Sequence, residues 1–324
     1  MIKLVWRSDV HLSDRAPASR KDDWTETVFN KLMQTRIVAE KLGAHGVLDG
    51  GDFFHVKSPS RNSHALLRRV AELHKTFPCP IYCTPGNHDS VYGDYNYLHQ
   101  QPLGVLYASG VFRPLYDQHE AVFVDPESGV KVRVIGVPYH GTQYDMSRFF
   151  NITRGDEDYL VVVAHVLASL KGGTMFEGED IVSYNDLMGV PADAFLFGHW
   201  HKDQGAVEIG GKWFVNIGSL TRGSIAQDDL IRQPACAVLS FVKEKMSIQV
   251  VRLRVQPSSE VFDVEGRAKA KDRATKMDSF VENIRGTLAK VAGRDLKDAV
   301  EGMEGIPEAV RERSMLYLER ADAE

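Results

Sequence analysis

The chain has 324 residues, of which 43% are hydrophobic and 26% are charged, as is ordinary for a globular protein with a sizeable core. Its formal net charge of −5 argues against strong, unaided binding to nucleic acid, because such binding depends on cations that neutralise phosphates. The sequence lacks a signal-peptide pattern, its most apolar segment (residues 159–170) is too short to span a bilayer, and its three cysteines fit reduced core thiols. We therefore expect a cytoplasmic protein without a membrane partner.

The N-terminal part of the chain alternates between predicted strands and predicted helices. Short apolar, β-branched or aromatic runs at residues 2–6, 46–48 and 80–83 are typical of buried strands. Apolar residues at helical spacing predict amphipathic helices at residues 22–42 and 61–77. Such alternation is typical of parallel βαβ units.

Beyond about residue 120 the pattern becomes β-rich. The strand candidates are residues 121–124, 131–137, 160–164, 194–197, 206–209, 212–217, 235–241 and 245–255. Gly210-Gly211 predicts a hairpin turn, and Lys243-Glu244 predicts a second one more weakly. We expect a layered α/β fold with a two-sheet β-sandwich core flanked by helices, rather than a simple doubly wound sheet.

The composition changes again near residue 257, after which the chain is charged and poor in strand patterns. Apolar residues at helical spacing predict one helix there: Met277, Phe280, Val281, Ile284, Leu288 and Val291. Gly293 suits the end of that helix, and Pro307 suits the first turn of another. We expect a main domain at residues 1–256 that carries the chemistry. A small helical segment at residues 257–324 then caps this domain or binds a partner.

Five polar clusters each follow a predicted strand. They are Asp9-Val10-His11, Gly51-Asp52, Gly86-Asn87-His88-Asp89, His165 and Gly198-His199-Trp200-His201. In open α/β sheets, side chains at the carboxyl ends of the strands converge on one crevice. A lone Asp or His in such a cluster more often caps a turn or packs at the surface, so only the whole set is informative.

The set supplies donors for two divalent cations. A site that hydrolyses phosphate esters with two ions needs a carboxylate that bridges them, and Asp52 is the natural candidate. Asp9, His11 and His201 are expected to complete the shell of one ion, and Asn87, His165 and His199 that of the other. His88 directly follows a predicted ligand, so we expect it to face the substrate and to protonate the leaving oxygen or stabilise charge. A purely structural histidine is the alternative.

The order D-x-H, G-D, G-N-H-D, H and G-H-x-H resembles the calcineurin-like metallophosphoesterase superfamily. Within it, Gly51-Asp52-Phe53-Phe54-His55 followed by Pro59-Ser60-Arg61 is similar to DNA double-strand-break nucleases of the SbcD type, which carry a histidine three residues past the bridging Asp. Phosphoprotein phosphatases carry an Asp there and G-N-H-E later, whereas this chain has His55 and Asp89. Two further segments look like the nuclease branch: Phe176-Glu177-Gly178-Glu179-Asp180 and Asn216-Ile217-Gly218-Ser219-Leu220.

This resemblance covers about residues 1–255 and implies a DNA exonuclease with two Mn²⁺ ions, active in end processing, repair or recombination, with endonuclease activity left open. It implies DNA and an SbcC-type coiled-coil ATPase as partners, and it leaves a homodimer open. By resemblance, His88 stabilises the transition state or protonates the leaving group, and His55 supports exonuclease turnover near the phosphate. An ordinary loop residue is the alternative for His55.

Two other functions stay open. One is a phosphodiesterase or phosphatase for a small nucleotide or lipid-linked phosphate ester, which would use the same dimetal chemistry. The other is a scaffold whose main task is to bind the ATPase through the helical segment at residues 257–324.

Basic residues near the first three clusters are candidates to contact DNA phosphates, and the tyrosines there are candidates to stack on unpaired bases. The alternative is that the basic residues are merely solvated and the tyrosines pack under the loop. These candidates are Arg15, Arg20, Lys21, Lys57, Arg61, Arg68, Arg69, Tyr92, Tyr95 and Tyr97. His140 is a further candidate for the site, although it belongs to no motif.

Overall fold

The structure is a computed structural model that describes residues 1–55, 62–91, 94–174, 178–264, 266, 275–277, 279 and 296–321. The strands within these ranges are β1 (Ile2–Arg7), β2 (Gly46–Asp49), β3 (Ile81–Cys83), β4 (Arg113–Pro114), β5 (Ala121–Val124), β6 (Lys131–Val137), β7 (Tyr159–His165), β8 (Ala168–Ser169), β9 (Gly173–Thr174), β10 (Asp180–Ser183), β11 (Ala194–Gly198), β12 (Asp203–Ile209), β13 (Lys212–Ile217), β14 (Ala235–Val242) and β15 (Lys245–Arg252). The helices are α1 (Trp24–Leu42), α2 (His64–His74), α3 (Pro102–Ala108), α4 (Ser147–Phe150), α5 (Gln227–Ile231), α6 (Ser258–Val261), α7 (Leu296–Glu301) and α8 (Glu308–Ala321). Short 3₁₀ helices occupy Tyr95–Gln100 and Tyr184–Leu187.

Most strands belong to two six-stranded sheets. The first has the order β15-β14-β1-β2-β3-β4 and the second the order β12-β13-β11-β7-β6-β5, while β8, β10 and β9 form a small separate sheet. Strands β1 to β4 run parallel, as do β6, β7, β11 and β13. The predicted layered α/β fold with two sheets and flanking helices is confirmed.

The two large sheets share one apolar layer. Leu4 and Trp6 of β1 belong to the same fully buried cluster as Val163 of β7 and Leu196 of β11. Because side chains alternate along a strand, Val5 lies on the other face of β1, in the cluster that contains the apolar sides of α1 and α2. Strands buried on both faces read as continuous apolar runs, which is why the sequence pattern located them well.

Local signals explain the ends of the first two helices. The Asp23 side chain accepts a hydrogen bond from Glu26 N (3.0 Å), and α1 ends at Gly43, whose φ of 58° is left-handed. Ser63 caps α2 by accepting from Leu66 N (3.1 Å), so this helix is shorter than the predicted residues 61–77. The pattern did not predict α3 or the sheet of β8, β10 and β9, because these elements are too short to show a period.

The chain divides into two compact units, Met1–Phe262 and Asp263–Glu324. In the second unit α8 begins directly after Pro307, whose carbonyl accepts from Val310 N (2.9 Å) and Arg311 N (3.1 Å). Most of the predicted helix between Met277 and Val291 lies outside the described residues, as does Gly293. In the part of the chain that the structure describes, no helix has the length and apolarity needed to cross a membrane.

Candidate metal centre

The five polar clusters lie at the carboxyl ends of strands from both large sheets. Asp9, Asp52 and Asn87 follow β1, β2 and β3 of the first sheet. His165 is the last residue of β7 and pairs in register with Gly198, the last residue of β11 in the second sheet. Side chains far apart in sequence therefore share one end of the sandwich.

The loops that carry these side chains have an uncommon backbone. Of five non-glycine residues with positive φ in the described ranges, four belong to the clusters: Asp9 (52°), His11 (50°), Asp52 (51°) and His199 (89°). Backbone bonds link two of the loops, since Asp9 N donates to Gly51 O (3.1 Å) and His11 N to Asp52 O (3.0 Å). Such conformations cost free energy and persist where the surrounding structure fixes them, as at functional sites.

Gly86 is required by the close approach of its neighbours. A Cβ atom at this position would lie 2.6 Å from both Asp52 N and His165 Cε1, and it would also clash with Asp52 Oδ1. The loop after β3 can therefore pass beside Asp52 only with a glycine here.

One group of donors consists of Asp9, His11, Asp52 and His201, each offering an atom within 4.8 Å of the others. The Nε2 atoms of His11 and His201 are 2.8 Å apart. His201 Nε2 lies 3.7 Å from Asp9 Oδ1, and His11 Nε2 lies 3.7 Å from Asp52 Oδ2. These are the residues that the sequence assigns to one ion.

A second group consists of Asp52, His165 and His199, again within 4.8 Å. Asn87 lies beside it, with Oδ1 at 3.2 Å from His165 Nε2, and this nitrogen is 3.5 Å from Asp52 Oδ2. Asp52 is common to both groups, the position that a bridging carboxylate requires. The role of these seven residues as metal ligands stays a prediction.

The chemistry of the donors fits divalent cations. Nitrogen and oxygen atoms without a thiolate suit Mn, Fe, Co and Zn ions. Burial lowers the pKa of His11 well below its usual value, and the nearby His201 lowers it further, so His11 is a neutral donor. Burial opposes ionisation of Asp52, but the adjacent His165 outweighs it and holds the pKa of that carboxyl well below its usual range. Neutral imidazole and ionised carboxylate are the forms that bind metals.

His165 and Asp52 influence each other strongly. Burial lowers the pKa of His165, but the Asp52 carboxylate outweighs this and raises it to about 9. His165 Nδ1 lies 2.6 Å from the Gly50 carbonyl, which fixes a proton on that nitrogen and leaves Nε2 for Asp52 and Asn87. A cation bound by Asp52 would take the place of the second proton on the ring.

The two predicted catalytic histidines stack beside the first group. The rings of His55 and His88 are 5.3 Å apart with an interplanar angle of 19°, and both come within 4.8 Å of His11 through one nitrogen each. His88 N donates to Asp52 Oδ1 (2.7 Å), and His88 Nδ1 lies 2.7 Å from His55 O. His88 is thus anchored through its backbone to Asp52, and its ring lies outside the two groups that share Asp52.

Glu179 is a site residue to which the sequence assigned no role. Its Oε1 lies 2.8 Å from His199 Nε2 and accepts a hydrogen bond from the Tyr144 hydroxyl (2.7 Å), which itself accepts from Leu167 N (2.9 Å). Burial opposes ionisation of Glu179, but the bond to His199 outweighs it and lowers the pKa. The signal available was its place in the Phe176–Asp180 segment, but no local pattern indicates a contact with a residue 20 positions away.

Asp89 holds two loops together. Its Oδ2 accepts from Asp52 N (2.7 Å) and Gly86 N (2.9 Å), and the residue is buried. Burial and the charge of Asp52 raise the pKa of Asp89 to about 8. Asp89, the last residue of the G-N-H-D motif, therefore positions the loops after β2 and β3, a role that the sequence pattern alone did not show.

Two candidate DNA contacts, Arg20 and Tyr95, pack in the fold instead. Arg20 is buried, pairs with Asp22 (2.5 Å) and lies over the rings of Trp24 and Phe262. Arg68 and Arg69 form ion pairs with carboxylates of α2 and α1. Tyr95 is half-buried in the core, whereas Arg15, Lys21 and Tyr97 are exposed. Lys57, Arg61 and Tyr92 lie outside the described residues, as do Pro59 and Ser60.

His140 does not join the donor groups that the described residues form. Its Nδ1 lies 2.9 Å from the Pro138 carbonyl, and its ring packs beside Tyr144 at 5.5 Å. The neighbouring Tyr139 is closer to the centre, with its ring 5.2 Å from that of His199.

Known structures share this architecture. The chain is similar to a protein assigned as a 5′-nucleotidase from Staphylococcus aureus, with 18% identity and a TM-score of 0.50 over 84% of this chain and 57% of that chain. It is also similar to a dimetal phosphatase from Danio rerio (12% identity, TM-score 0.50, 79% of this chain and 97% of that one). A third is GAP50, the anchor in the inner membrane complex of Plasmodium (10% identity, TM-score 0.50, 78% and 84%). At identities this low, the likeness concerns the fold alone.

The sequence comparisons give the family. No curated protein matches the chain. The model of the calcineurin-like phosphoesterase family matches residues 2–203, which is more than half of the chain and includes both donor groups. The chain therefore belongs to the calcineurin-like phosphoesterase family, whose chemistry is the metal-dependent hydrolysis of phosphate esters.

Proposed function

We propose that the chain is a dimetal-dependent DNA nuclease of the SbcD type, chiefly an exonuclease that processes DNA ends. The observation that carries this proposal is the pair of stacked rings, His55 and His88, beside His11. The resemblance to the nucleases assigns a function to both of these positions, and phosphoprotein phosphatases carry an Asp at the first. The pair thus supports the nuclease branch within a family that hydrolyses many phosphate esters.

Two divalent cations, when bound, supply Lewis acidity toward the phosphate oxygens and activate the attacking water. In this proposal His88 protonates the leaving oxygen or stabilises its charge. Because the His55 carbonyl can only accept, the 2.7 Å contact assigns a proton to Nδ1 of His88, and Nε2 is the nitrogen that remains to act on the leaving oxygen. Asp52 keeps the backbone of His88 in place through its Oδ1.

Mn²⁺ is the proposed ion, by resemblance to the nucleases. The histidine, carboxylate and amide donors bind Fe, Co or Zn at least as tightly, so metal availability decides which ion is bound in the cell. We further propose that an SbcC-type ATPase binds the second compact unit, Asp263–Glu324. A pull-down with the full chain and with residues 1–262 tests this, since an unchanged set of bound proteins would exclude the second unit.

The decisive experiment is Mn²⁺-dependent digestion of linear duplex and single-stranded DNA. Asp52→Ala removes the carboxylate that both donor groups share, so this variant should lose activity. Asp156→Ala is a matched control, because that side chain is 84% exposed and lies outside the centre. Equal degradation by wild type and Asp52→Ala would reveal a contaminating nuclease.

His88→Gln tests the assigned role of this ring. Loss of a general acid lowers the rate by about 10²–10⁴-fold, whereas metal binding by the two groups that share Asp52 should persist because the His88 ring belongs to neither. Steady-state rates and a manganese titration of the same preparation measure both quantities. A variant with unchanged turnover would remove His88 from the reaction.

A phosphodiesterase or phosphatase for a small nucleotide is the second candidate. It is favoured by the burial of Arg20 in an ion pair with Asp22, which removes one candidate cation that a long DNA backbone would use. Turnover of a small diester together with no action on either form of DNA would reverse the preference.

A further inference from the structure

A cavity adjoins the candidate metal centre. It has a volume of about 720 Å³, and His11, His55 and His201 form part of its lining. This volume lies within the range of ligand pockets, roughly 300–1,000 Å³. A phosphate held at the donor groups would therefore adjoin this cavity.

The remaining walls offer apolar and aromatic surface. Trp200, half-buried, lies between His199 and His201 in sequence and lines the cavity, as does Pro17. Ile231 lines it too and is 78% exposed. A single exposed isoleucine is common at protein surfaces, but here it borders a cavity that also contains an indole. Such walls suit a planar ring, because every nucleobase can stack on an aromatic face.

The charges of the lining give little net attraction for a second phosphate. Apart from the histidines, the charged residues that line the cavity among the described residues are Lys202, Asp228 and Asp229. Asp229 is neutralised by Arg232, whose Nε lies 2.7 Å from its carboxylate, so Lys202 and Asp228 balance each other. A polyphosphate or a continuing DNA backbone needs a donor for each phosphate, and the hydroxyls of Ser219, Thr221 and Ser224 in the lining already donate within the protein. An uncharged substituent is therefore the better fit.

We propose that this cavity binds the nucleoside attached to the phosphate at the metal centre, with its base unpaired. This inference rests on the proposed function and specifies its substrate: a nucleotide at a frayed or single-stranded end, or a free nucleotide ester, instead of an intact duplex. Gln227, exposed in the same lining, carries an amide whose donor and acceptor can pair with a base edge.

The test compares ligands that differ only in the nucleoside. Methyl phosphate, thymidine 5′-monophosphate and thymidine 3′-monophosphate are titrated calorimetrically into the Mn²⁺-loaded full chain. One of the two nucleotides should bind at least about tenfold more tightly than methyl phosphate, because stacking and burial of the base add to the shared phosphate interaction. Which nucleotide gains affinity also reports the direction in which the substrate lies.

Ile231→Asp adds an unpaired carboxylate to the cavity and should reduce the nucleoside preference about threefold to tenfold. Because Ile231 is exposed, this substitution should leave the fold intact. Val124→Asp is the matched control, since Val124 is 56% exposed on β5 and does not line the cavity, so its preference should equal that of wild type. Trp200→Ala should also reduce the nucleoside preference, because it removes an aromatic ring on which the base would stack.

The outcomes separate the two proposals. If methyl phosphate binds and neither nucleotide binds more tightly, the cavity assignment is overturned and the proposed hydrolysis is untouched. The assignment also fails if Ile231→Asp and Val124→Asp keep the same preference. If none of the three ligands binds to the loaded protein, the metal centre does not take phosphate esters, and both proposals fall.

Discussion

Glu179 illustrates how one side chain outside the donor groups can determine metal affinity. Its carboxylate contacts His199 on the ring nitrogen Nε2 (2.8 Å) and is itself held by the Tyr144 hydroxyl. A carboxylate in this position fixes the orientation of a metal-binding imidazole and raises its basicity. The contact belongs to one donor group, so its loss should affect one ion more than the other.

We therefore expect Glu179→Gln to weaken one of two manganese sites by about 10- to 100-fold and to leave the second nearly unchanged. Isothermal titration of the metal-free protein with Mn²⁺ measures both sites in one experiment. Glu208→Gln, an identical change at an exposed position on β12, should behave as wild type. If wild type, Glu179→Gln and Glu208→Gln give identical two-site isotherms, Glu179 has no part in metal binding.

Gly86 offers a test of the close packing around Asp52. The methyl group of Gly86→Ala would press on Asp52 and His165, so the loop must move, at a cost of about 1–3 kcal/mol in unfolding free energy. Metal affinity and turnover should fall together. Gly189→Ala is the control, because a Cβ there meets no atom within 4 Å. Urea denaturation and a Mn²⁺ titration give the two measurements, and equal behaviour of both variants would contradict the crowding argument.

At the scale of elements, a fully buried ion pair joins β1, β2 and α2. Arg7 Nε donates to Asp49 Oδ2 (2.7 Å), and Arg7 Nη2 lies 2.9 Å from His74 Nε2. The two strand residues are also in register. Burial lowers the pKa of His74 well below its usual value, and Arg7 lowers it further, so His74 is a neutral acceptor. Asp49 is then the sole carboxylate that Arg7 contacts in the described ranges.

Asp49→Ala should destabilise the fold by about 3–5 kcal/mol, because it leaves the Arg7 charge buried and unpaired. The double variant Arg7→Met with Asp49→Leu should regain most of that loss, since apolar replacement of a buried pair is often neutral. Midpoints and slopes of urea unfolding are measured for Asp49→Ala, for the single variants Arg7→Met and Asp49→Leu, and for the double variant. A double variant as unstable as Asp49→Ala would assign the loss to packing instead of charge.

Predictability from sequence differed between kinds of element. Strands such as β7 and β11, buried on both faces, were located to within a residue because their apolar runs are continuous. The small sheet of β8, β10 and β9 was missed, since two-residue strands such as Ala168–Ser169 have no period. In the centre, the candidate donors that the structure brings together could be proposed from the sequence because each motif is local. The contacts of Glu179 and Asp89 depend on tertiary approach, which a single sequence does not reveal.

At the scale of the whole molecule, the apolar core lies in one unit. All buried hydrophobic residues among the described positions fall between Ile2 and Phe262. Residues 1–262 alone should therefore unfold cooperatively, with a midpoint close to that of the full chain, and should bind the same number of Mn²⁺ ions. Differential scanning calorimetry and metal analysis of the truncated protein check this. A truncated chain that aggregates or binds no metal would show that the second unit is required.

The donor groups also constrain when the ions can be acquired. His11 and His201, whose nitrogens lie 2.8 Å apart, are separated by 190 positions in the chain. A ribosome-bound polypeptide cannot complete the first group until β11 and the residues after it have emerged, and partial sets of ligands hold metals weakly. Loading consequently follows the synthesis of at least the first 201 residues. The cation that each molecule carries records the free-metal pool around the finished protein, and growth in medium enriched in one ion should change the occupant without altering the polypeptide.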